Sequence, residues 1–170
     1  MPLLMLKDVP QYECLLERSK RFPELDPSAV EAFLHLLRTS SDVFEAIGSF
    51  LEKYRISPGR FTVLMLLTRN PDKPINLAEL AEAAGVTRAT MTGLIDILER
   101  DGFVKRRPDA ADRRVLLVAF TAKGRSFLGK IVPAYYRRVS GLMKHTTAAD
   151  RRTLVQMMAK VQRGVPAFGS

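Results

Sequence analysis

The sequence contains few of the residues on which metal binding and nucleophilic catalysis depend. It has one cysteine and two histidines among 170 residues. A single cysteine cannot form an internal disulfide, so we expect a reducing compartment. We find no glycine-rich phosphate loop, no cluster of metal ligands and no nucleophile spaced to pair with a base. The sequence therefore predicts a protein that is not an enzyme and that needs no cofactor and no metal.

Long hydrophobic segments are also missing. The N-terminus has neither the apolar run nor the small-residue cleavage site of a signal peptide. No apolar run reaches the length of about 18–20 residues that crosses a bilayer. Hydrophobic residues nevertheless make up 46% of the chain, which is enough to build a core. We expect a folded cytoplasmic protein with no membrane partner.

Charge is unevenly distributed along the chain. The net charge is +9, from 27 basic and 18 acidic residues. Residues 1–56 are slightly acidic, whereas residues 127–170 contain eight basic residues and one acidic residue. This distribution predicts that one end of the molecule meets an anionic partner such as nucleic acid.

Apolar spacing and end signals predict a largely helical chain with two strands. Asp26 and Ser57 each precede a proline, as is typical of helix starts. Asn76 and Glu79 have the spacing of a capping box at the start of a short helix. The predicted elements are helices over residues 11–21, 27–54, 57–67, 76–84, 88–100, 121–142 and 148–163, and strands over 103–107 and 115–120.

The two short helices in the middle of the chain have the pattern of a helix-turn-helix. Gly85 lies between them, where a tight turn requires a positive φ angle. Ala81 is small enough for the second helix to cross closely, and Met91 and Leu94 follow at core spacing. Helix pairs joined through a glycine also occur in proteins that do not bind DNA, so this motif alone leaves both interpretations open.

The second of these helices exposes short polar groups near its N-terminus, the part that enters the major groove in helix-turn-helix proteins. Its arginine has the planar fork that binds guanine, and the neighbouring hydroxyl and methyl groups suit base edges or phosphate oxygens. The alternative is a solvated face on which threonines serve as caps. The candidate base contacts are Arg88, Ala89 and Thr92, and the candidate phosphate contacts are Thr87 and Thr90.

The predicted hairpin carries five cations around a loop that contains a proline. Arginine at such a loop reaches the minor groove beside a major-groove helix, where A·T-rich segments concentrate negative potential. Asp112 has the spacing to hold Arg114 in a bidentate pair before DNA arrives. The alternative is a charged hairpin that serves only solubility. It is less favoured, because a hairpin loop needs neither five cations nor an internal carboxylate to stay soluble. The candidate DNA contacts of the hairpin are Arg106, Arg107, Asp112, Arg113 and Arg114.

Several segments together match a known family. They are LAELA at 77–81, GVTRAT at 85–90, LERDGFV at 98–104, DRR at 112–114 and TAKG at 121–124. With these segments the chain resembles the MarR (multiple-antibiotic-resistance regulator) family of winged helix-turn-helix transcription regulators. The order of predicted elements is similar to that family over about residues 28–163. Phe120 departs from the leucine usual in the family, which is a conservative core change.

The resemblance implies a mainly α fold with a small β-hairpin wing, in which N- and C-terminal helices form a dimerisation domain. We therefore expect dimerisation helices in 1–56 and 127–170 and the winged helix-turn-helix in 57–126. The resemblance also implies a homodimer on double-stranded DNA at a pseudo-palindromic operator, with Arg114 in the minor groove. The apolar stripes of the terminal helices separately favour a dimer, because they offer more apolar surface than a small winged domain covers.

The family resemblance further implies a repressor that a small, phenolic or otherwise anionic effector releases. No effector site follows from the residues, and His35, Ser40 and Arg60 are weak candidates. Sensing of oxidation by Cys14 is a less favoured alternative, because a lone cysteine is more often a packed side chain. A zinc sensor would be short of ligands. Outside this family, a winged helix that binds protein or RNA is the alternative to a DNA-binding regulator.

Overall fold

The computed structural model describes residues 8–69, 73–109, 112–113 and 115–169. Within this part the protein is mainly helical with one small antiparallel sheet, which confirms the predicted fold class. The chain divides into two compact units, Met1–Thr121 and Ala122–Ser170. The helices are α1 (Tyr12–Ser19), α2 (Pro27–Glu52), α3 (Pro58–Leu67), α4 (Leu77–Ala84), α5 (Arg88–Arg100), α6 (Ala122–Leu142) and α7 (Ala148–Gly164). The strands are β1 (Ile75–Asn76), β2 (Val104–Pro108) and β3 (Leu116–Phe120), and a 3₁₀ turn (Val165–Phe168) follows α7.

Side-chain caps explain where the helices of the first unit begin. The Asp26 carboxylate accepts hydrogen bonds from Ser28 N and Ala29 N, at 2.9 and 3.1 Å. These bonds satisfy backbone donors that have no partner inside α2. Ser57 caps α3 in the same way, with Oγ 3.4 Å from Arg60 N. The two helix starts predicted from a residue that precedes a proline are therefore confirmed.

The capping box predicted at the start of α4 does not form. Asn76 does cap the helix, since its side chain accepts from Ala78 N at 2.8 Å. Glu79 is exposed, and its carboxylate accepts no hydrogen bond from any residue that the structure describes. A reciprocal box is found instead at α7, where Thr147 and Asp150 each bond the other's backbone N–H.

The sheet contains one strand more than the sequence predicts. Its order is β1-β3-β2, and both pairings are antiparallel. The two residues of β1, for which no strand was predicted, pair with β3 at Val118 and Leu117. This pairing places the start of α4 beside the hairpin, because Asn76 is at once the last residue of β1 and the N-cap of α4.

The core of the first unit lies where α3, α4 and α5 meet the sheet. Contacts join these three helices to one another, α5 to β2, and α4 to β3. Apolar side chains at these contacts lose nearly all their exposure, and burial of each contributes about 1.5–3 kcal/mol. In the first unit, the apolar side chains with 1% exposure or less are Val63, Leu64, Leu80, Met91, Ile95, Leu98 and Val118 on these elements, and Leu51 near the end of α2.

The second unit consists of α6, α7 and the terminal 3₁₀ turn. Gly124, Leu128 and Ile131 of α6 are buried, whereas α7 has no buried residue at all. The apolar stripe of α7 is exposed in the single chain, and its members are Leu154, Met157, Met158 and Val161. Across the described residues, no helix has the length and apolarity needed to span a membrane.

Candidate nucleic-acid interface

A left-handed glycine sets the angle between α4 and α5. Gly85 has φ +65°, as the sequence predicts for this turn. Its N–H donates to Glu82 O at 3.0 Å, and Val86 N donates to Ala81 O at 3.0 Å. These two bonds close the C-terminus of α4 and turn the chain directly into α5. The result is a helix-turn-helix with α5 as its second helix.

One side of α5 is buried and the other is open to solvent. Met91, Ile95 and Leu98 are fully buried. The N-terminal half of the opposite side carries only small or polar groups and one arginine. All five residues predicted to contact DNA from this helix and its cap are exposed: Thr87, Arg88, Ala89, Thr90 and Thr92. The structure thus brings the predicted residues of α5 together on one accessible surface.

The threonines of this surface also have structural partners. Thr87 Oγ1 accepts from Thr90 N at 3.1 Å and lies 2.9 Å from Thr90 Oγ1. Thr92 Oγ1 donates to Arg88 O at 2.9 Å. The proton of the Thr92 hydroxyl is therefore used within the helix, and its oxygen remains an acceptor. An acceptor in the major groove suits the exocyclic amino groups of adenine or cytosine.

Arg106 of the wing faces α5 and not solvent. Its Nη1 lies 2.7 Å from Glu99 Oε2, and its Nη2 lies 2.6 Å from Asp96 Oδ1. Glu99 Oε1 also accepts from Arg106 N at 2.7 Å. The side chain of Arg106 is 18% exposed. Two carboxylates thus bind its guanidinium. This geometry does not favour the predicted contact between Arg106 and DNA, which stays untested.

The alternation of β2 accounts for this difference. Successive residues of a strand face opposite sides. Val104 is buried, so Arg106 points to the same side, whereas Lys105 and Arg107 are exposed on the other. This alternation was the sequence signal that could have separated Arg106 from its neighbours. Asp96 and Glu99, three residues apart on α5, are the partners that sequence reasoning missed.

The rest of the wing is only partly described. Asp109 N donates to Val115 O and Val115 N donates to Asp112 O, both at 2.9 Å, which brings the two sides of the loop together. Asp112 and Arg113 are exposed. Arg114 lies outside the described residues, so its pairing with Asp112 and its contact with the minor groove both stay predictions.

A groove of about 530 Å³ is lined by residues of both α5 and the wing. Arg88, Thr92 and Asp96 form its α5 side, and Arg106 and Leu116 form its wing side. The start of α4 closes one end, through Asn76, Leu77 and Ala78. Arg88 and Thr92 of the exposed α5 surface therefore border this concave surface, whereas Arg106 is the one cation of the described hairpin residues that lines it.

The residues predicted as weak effector candidates are not brought to one site. His35 is exposed and Ser40 is half-buried on α2. Arg60 lies at a cavity of about 380 Å³ that neither of them lines. Its Nη1 donates to Asp101 Oδ2 at 3.0 Å and its Nη2 donates to Arg55 O at 3.4 Å. Arg60 thereby joins the start of α3 to the end of α5.

Two further expectations concern metal and thiol chemistry. Within the described part of the chain, no three His, Cys, Asp or Glu side chains are grouped so as to hold a metal ion. A lone cysteine is more often a packed side chain, but Cys14 is exposed on α1.

A helix-turn-helix followed by a hairpin, with β1 completing the sheet, defines the winged helix-turn-helix class. A family model described as MarR family matches residues 56–116. The HTH-type transcriptional repressor YetL of Bacillus subtilis (strain 168) is 30% identical over 163 residues, which cover 96% of this chain and 98% of YetL. The chain belongs to the MarR family of transcriptional regulators, as its sequence motifs predict.

Solved structures agree with this family. The transcriptional repressor CouR, bound to a 23-mer DNA duplex, is 29% identical with a TM-score of 0.67, over 75% of this chain and 89% of CouR. Bordetella bronchiseptica BpsR is 26% identical with a TM-score of 0.65, over 75% of this chain and 91% of BpsR. The BpsR structure concerns regulation of its DNA binding by 6-hydroxynicotinic acid.

Proposed function

We propose that the protein is a repressor that binds double-stranded DNA with the exposed N-terminal surface of α5 in the major groove. The observation that carries the proposal is Arg88, which is exposed at the start of α5 and forms no ion pair with any described residue. Its fork suits guanine O6 and N7. Arg107 and Arg113 face solvent on the wing and suit flanking phosphates. For Arg114 we propose a contact in the minor groove on the basis of the sequence alone.

The test is Arg88→Ala, measured on two duplexes. One is selected by the wild-type protein from a randomised pool, and the other has a scrambled sequence. We expect the preference for the selected duplex to fall by about 1–3 kcal/mol, the contribution of a bidentate base contact. Arg100→Ala is the control, since it removes the same charge from the exposed far end of α5. Equal losses on both duplexes for Arg88→Ala would contradict base recognition by Arg88.

We infer that the functional unit is a homodimer. The support is the apolar stripe of α7, whose members are 37–48% exposed and recur at helical spacing: Leu154, Met157, Met158 and Val161. A second copy would cover this stripe about a two-fold axis and give two recognition helices for a pseudo-palindromic operator. The terminal regions 1–56 and 127–170 would then supply the dimer, and 57–126 the DNA contacts.

Charge placed on the stripe tests the dimer. We expect Leu154→Lys to shift the mass in solution from two chains towards one, measured by sedimentation equilibrium. Val155→Lys is the matched control, because Val155 is adjacent but lies off the stripe and is 69% exposed. Dissociation by both variants to the same extent would contradict an interface built on this stripe.

We further propose that a small anionic aromatic effector weakens DNA binding. Support comes from the effector of BpsR and from the cavity lined by Arg55 and Arg60. Arg60 pairs with Asp101, so Arg55 is the cation proposed to meet the carboxylate of the effector. Glu52 lines the same cavity and opposes this attraction. 6-Hydroxynicotinic acid is the probe: it should release the selected duplex from the wild type and act more weakly on Arg55→Gln. An effect that is unchanged in Arg55→Gln would place the effector elsewhere.

We propose a cytoplasmic location, because a transcriptional repressor acts where the DNA is. We also propose that the protein has no enzymatic activity. Membership of a family of transcription regulators supports both proposals. Binding of RNA or protein by the same fold is the competing function. Retention of an RNA of matched sequence at affinities equal to those for duplex DNA would favour it.

A further inference from the structure

The wing is attached to α5 through one residue with several simultaneous contacts. Arg106 donates from its backbone N and from Nη1 to the two oxygens of Glu99, both at 2.7 Å. Its Nη2 donates to Asp96 at 2.6 Å and to Thr92 O at 3.3 Å. The charge-assisted bonds to Glu99 and Asp96, at 2.6–2.7 Å, belong to the stronger class of protein hydrogen bonds. The paired contact with Glu99 fixes the direction of the side chain as well as its distance.

From these contacts we propose that Arg106 is a positioning residue, which holds the wing at a fixed angle to α5 and does not itself contact DNA. The inference rests on the proposed DNA-binding function. It assigns to Arg106, Glu99 and Asp96 a role in arranging the surface that Arg88 and the exposed wing cations form.

Charge and burial both argue against a direct contact with phosphate. Arg106 is 18% exposed, against 57% for Asp96 and 37% for Glu99. The three side chains together carry one positive and two negative charges, so the cluster offers phosphate no net attraction. Arg107, the next residue on β2, is exposed on the opposite side of the strand.

Because Arg106 lies in the sheet, its contacts with α5 restrain the orientation of the whole wing. β2 is an edge strand, and its partner β3 pairs with it from Val104↔Phe120 to Pro108↔Leu116. Fixing Arg106 at the middle of β2 therefore fixes the hairpin as a unit. A wing already oriented relative to α5 loses less conformational freedom when both elements meet DNA.

The decisive variant is Glu99→Gln. It removes a negative charge from the region beside the DNA-binding surface, so simple electrostatics predicts tighter binding. If Glu99 positions the wing through Arg106, binding should instead weaken, by about tenfold on the selected duplex. Arg106→Gln should weaken binding similarly, and the double variant should be no worse than either single variant, because all three break the same link.

The salt dependence separates positioning from phosphate contact. Loss of one phosphate contact lowers the slope of log K against log salt by about 0.9. We expect an unchanged slope for Arg106→Gln and a reduced slope for the matched control Arg107→Gln. Tighter binding by Glu99→Gln, or a slope lowered by about 0.9 in Arg106→Gln, would overturn the inference.

Hydrogen exchange without DNA provides a readout that does not depend on the proposed function. Amides of residues 104–107 should exchange faster in Glu99→Gln than in the wild type, while those of α3 keep their rates. Unchanged exchange in the wing would also overturn the inference. If the wild type binds no duplex while the wing amides behave as expected, the proposed function fails and the link between Glu99 and Arg106 stands.

Discussion

Gly93 lies on the proposed DNA-facing side of α5, where a methyl group should raise stability and lower affinity together. The residue is exposed in the middle of a 13-residue helix, on the side opposite to Met91 and Leu98. A Cβ built at Gly93 meets nothing within 4 Å. Glycine in a helix interior costs about 0.8–1.0 kcal/mol relative to alanine. Gly93→Ala should therefore stabilise the protein by about 1 kcal/mol and raise Tm by about 2–4 °C.

DNA binding should change in the opposite direction. A position without a side chain lets the helix backbone approach the floor of the major groove. Alanine there would hold α5 away from the bases, so we expect weaker binding to the selected duplex at unchanged or higher stability. The assays are urea unfolding at one protein concentration and titration of labelled duplex.

Gly129→Ala is the matched control for this prediction. Gly129 is exposed inside α6, and a Cβ there also meets nothing within 4 Å. It should gain similar stability with no change in affinity. Equal affinity of the two variants for DNA would refute close approach at Gly93, and a loss of stability in Gly93→Ala would refute the open space around it.

Two further predictions concern stability alone. Arg60→Met should lower the free energy of unfolding by about 1–2 kcal/mol, because the pair with Asp101 is 20% and 34% exposed; Lys20→Met should change it by roughly 0–0.5 kcal/mol, since the Lys20–Glu17 pair is 68% and 70% exposed. Equal losses in urea unfolding would contradict this ranking. The hydrogen bond from the Ser28 hydroxyl and that from Ala29 N hold the pKa of Asp26 below its usual 3.8 in the folded state. The stability from this cap is therefore complete above pH 3.8 and is lost as the pH falls through the folded pKa, so Asp26→Asn should flatten the acid limb of unfolding. An equally steep limb in the variant would contradict the role of the cap.

Local signals in the sequence account for most of the fold. Helix starts at Asp26, Ser57 and Thr87 follow from side chains that bond the nearest backbone N–H groups, and the turn at Gly85 follows from its positive φ. Each of these depends on residues within one turn of the chain. That is why helix boundaries and the helix-turn-helix were predictable.

The features that the sequence did not predict depend on residues far apart. Arg60 meets Asp101 across 41 positions, and β1 exists only because Val118 arrives beside Ile75. Arg106 was predicted to face DNA because it stands in a run of cations. Its actual direction depends on the alternation of β2 and on the acidic groups of α5, a combination that a count of charges does not contain.

The absence of buried residues in α7 has a consequence for the protein in the cell. A helix of 17 residues that buries none of its own side chains is marginal in isolation. Newly made chains would carry it as an accessible target for proteases until a second chain is found. The lifetime of the protein would then depend on its concentration, and chains would be degraded faster when the protein is scarce.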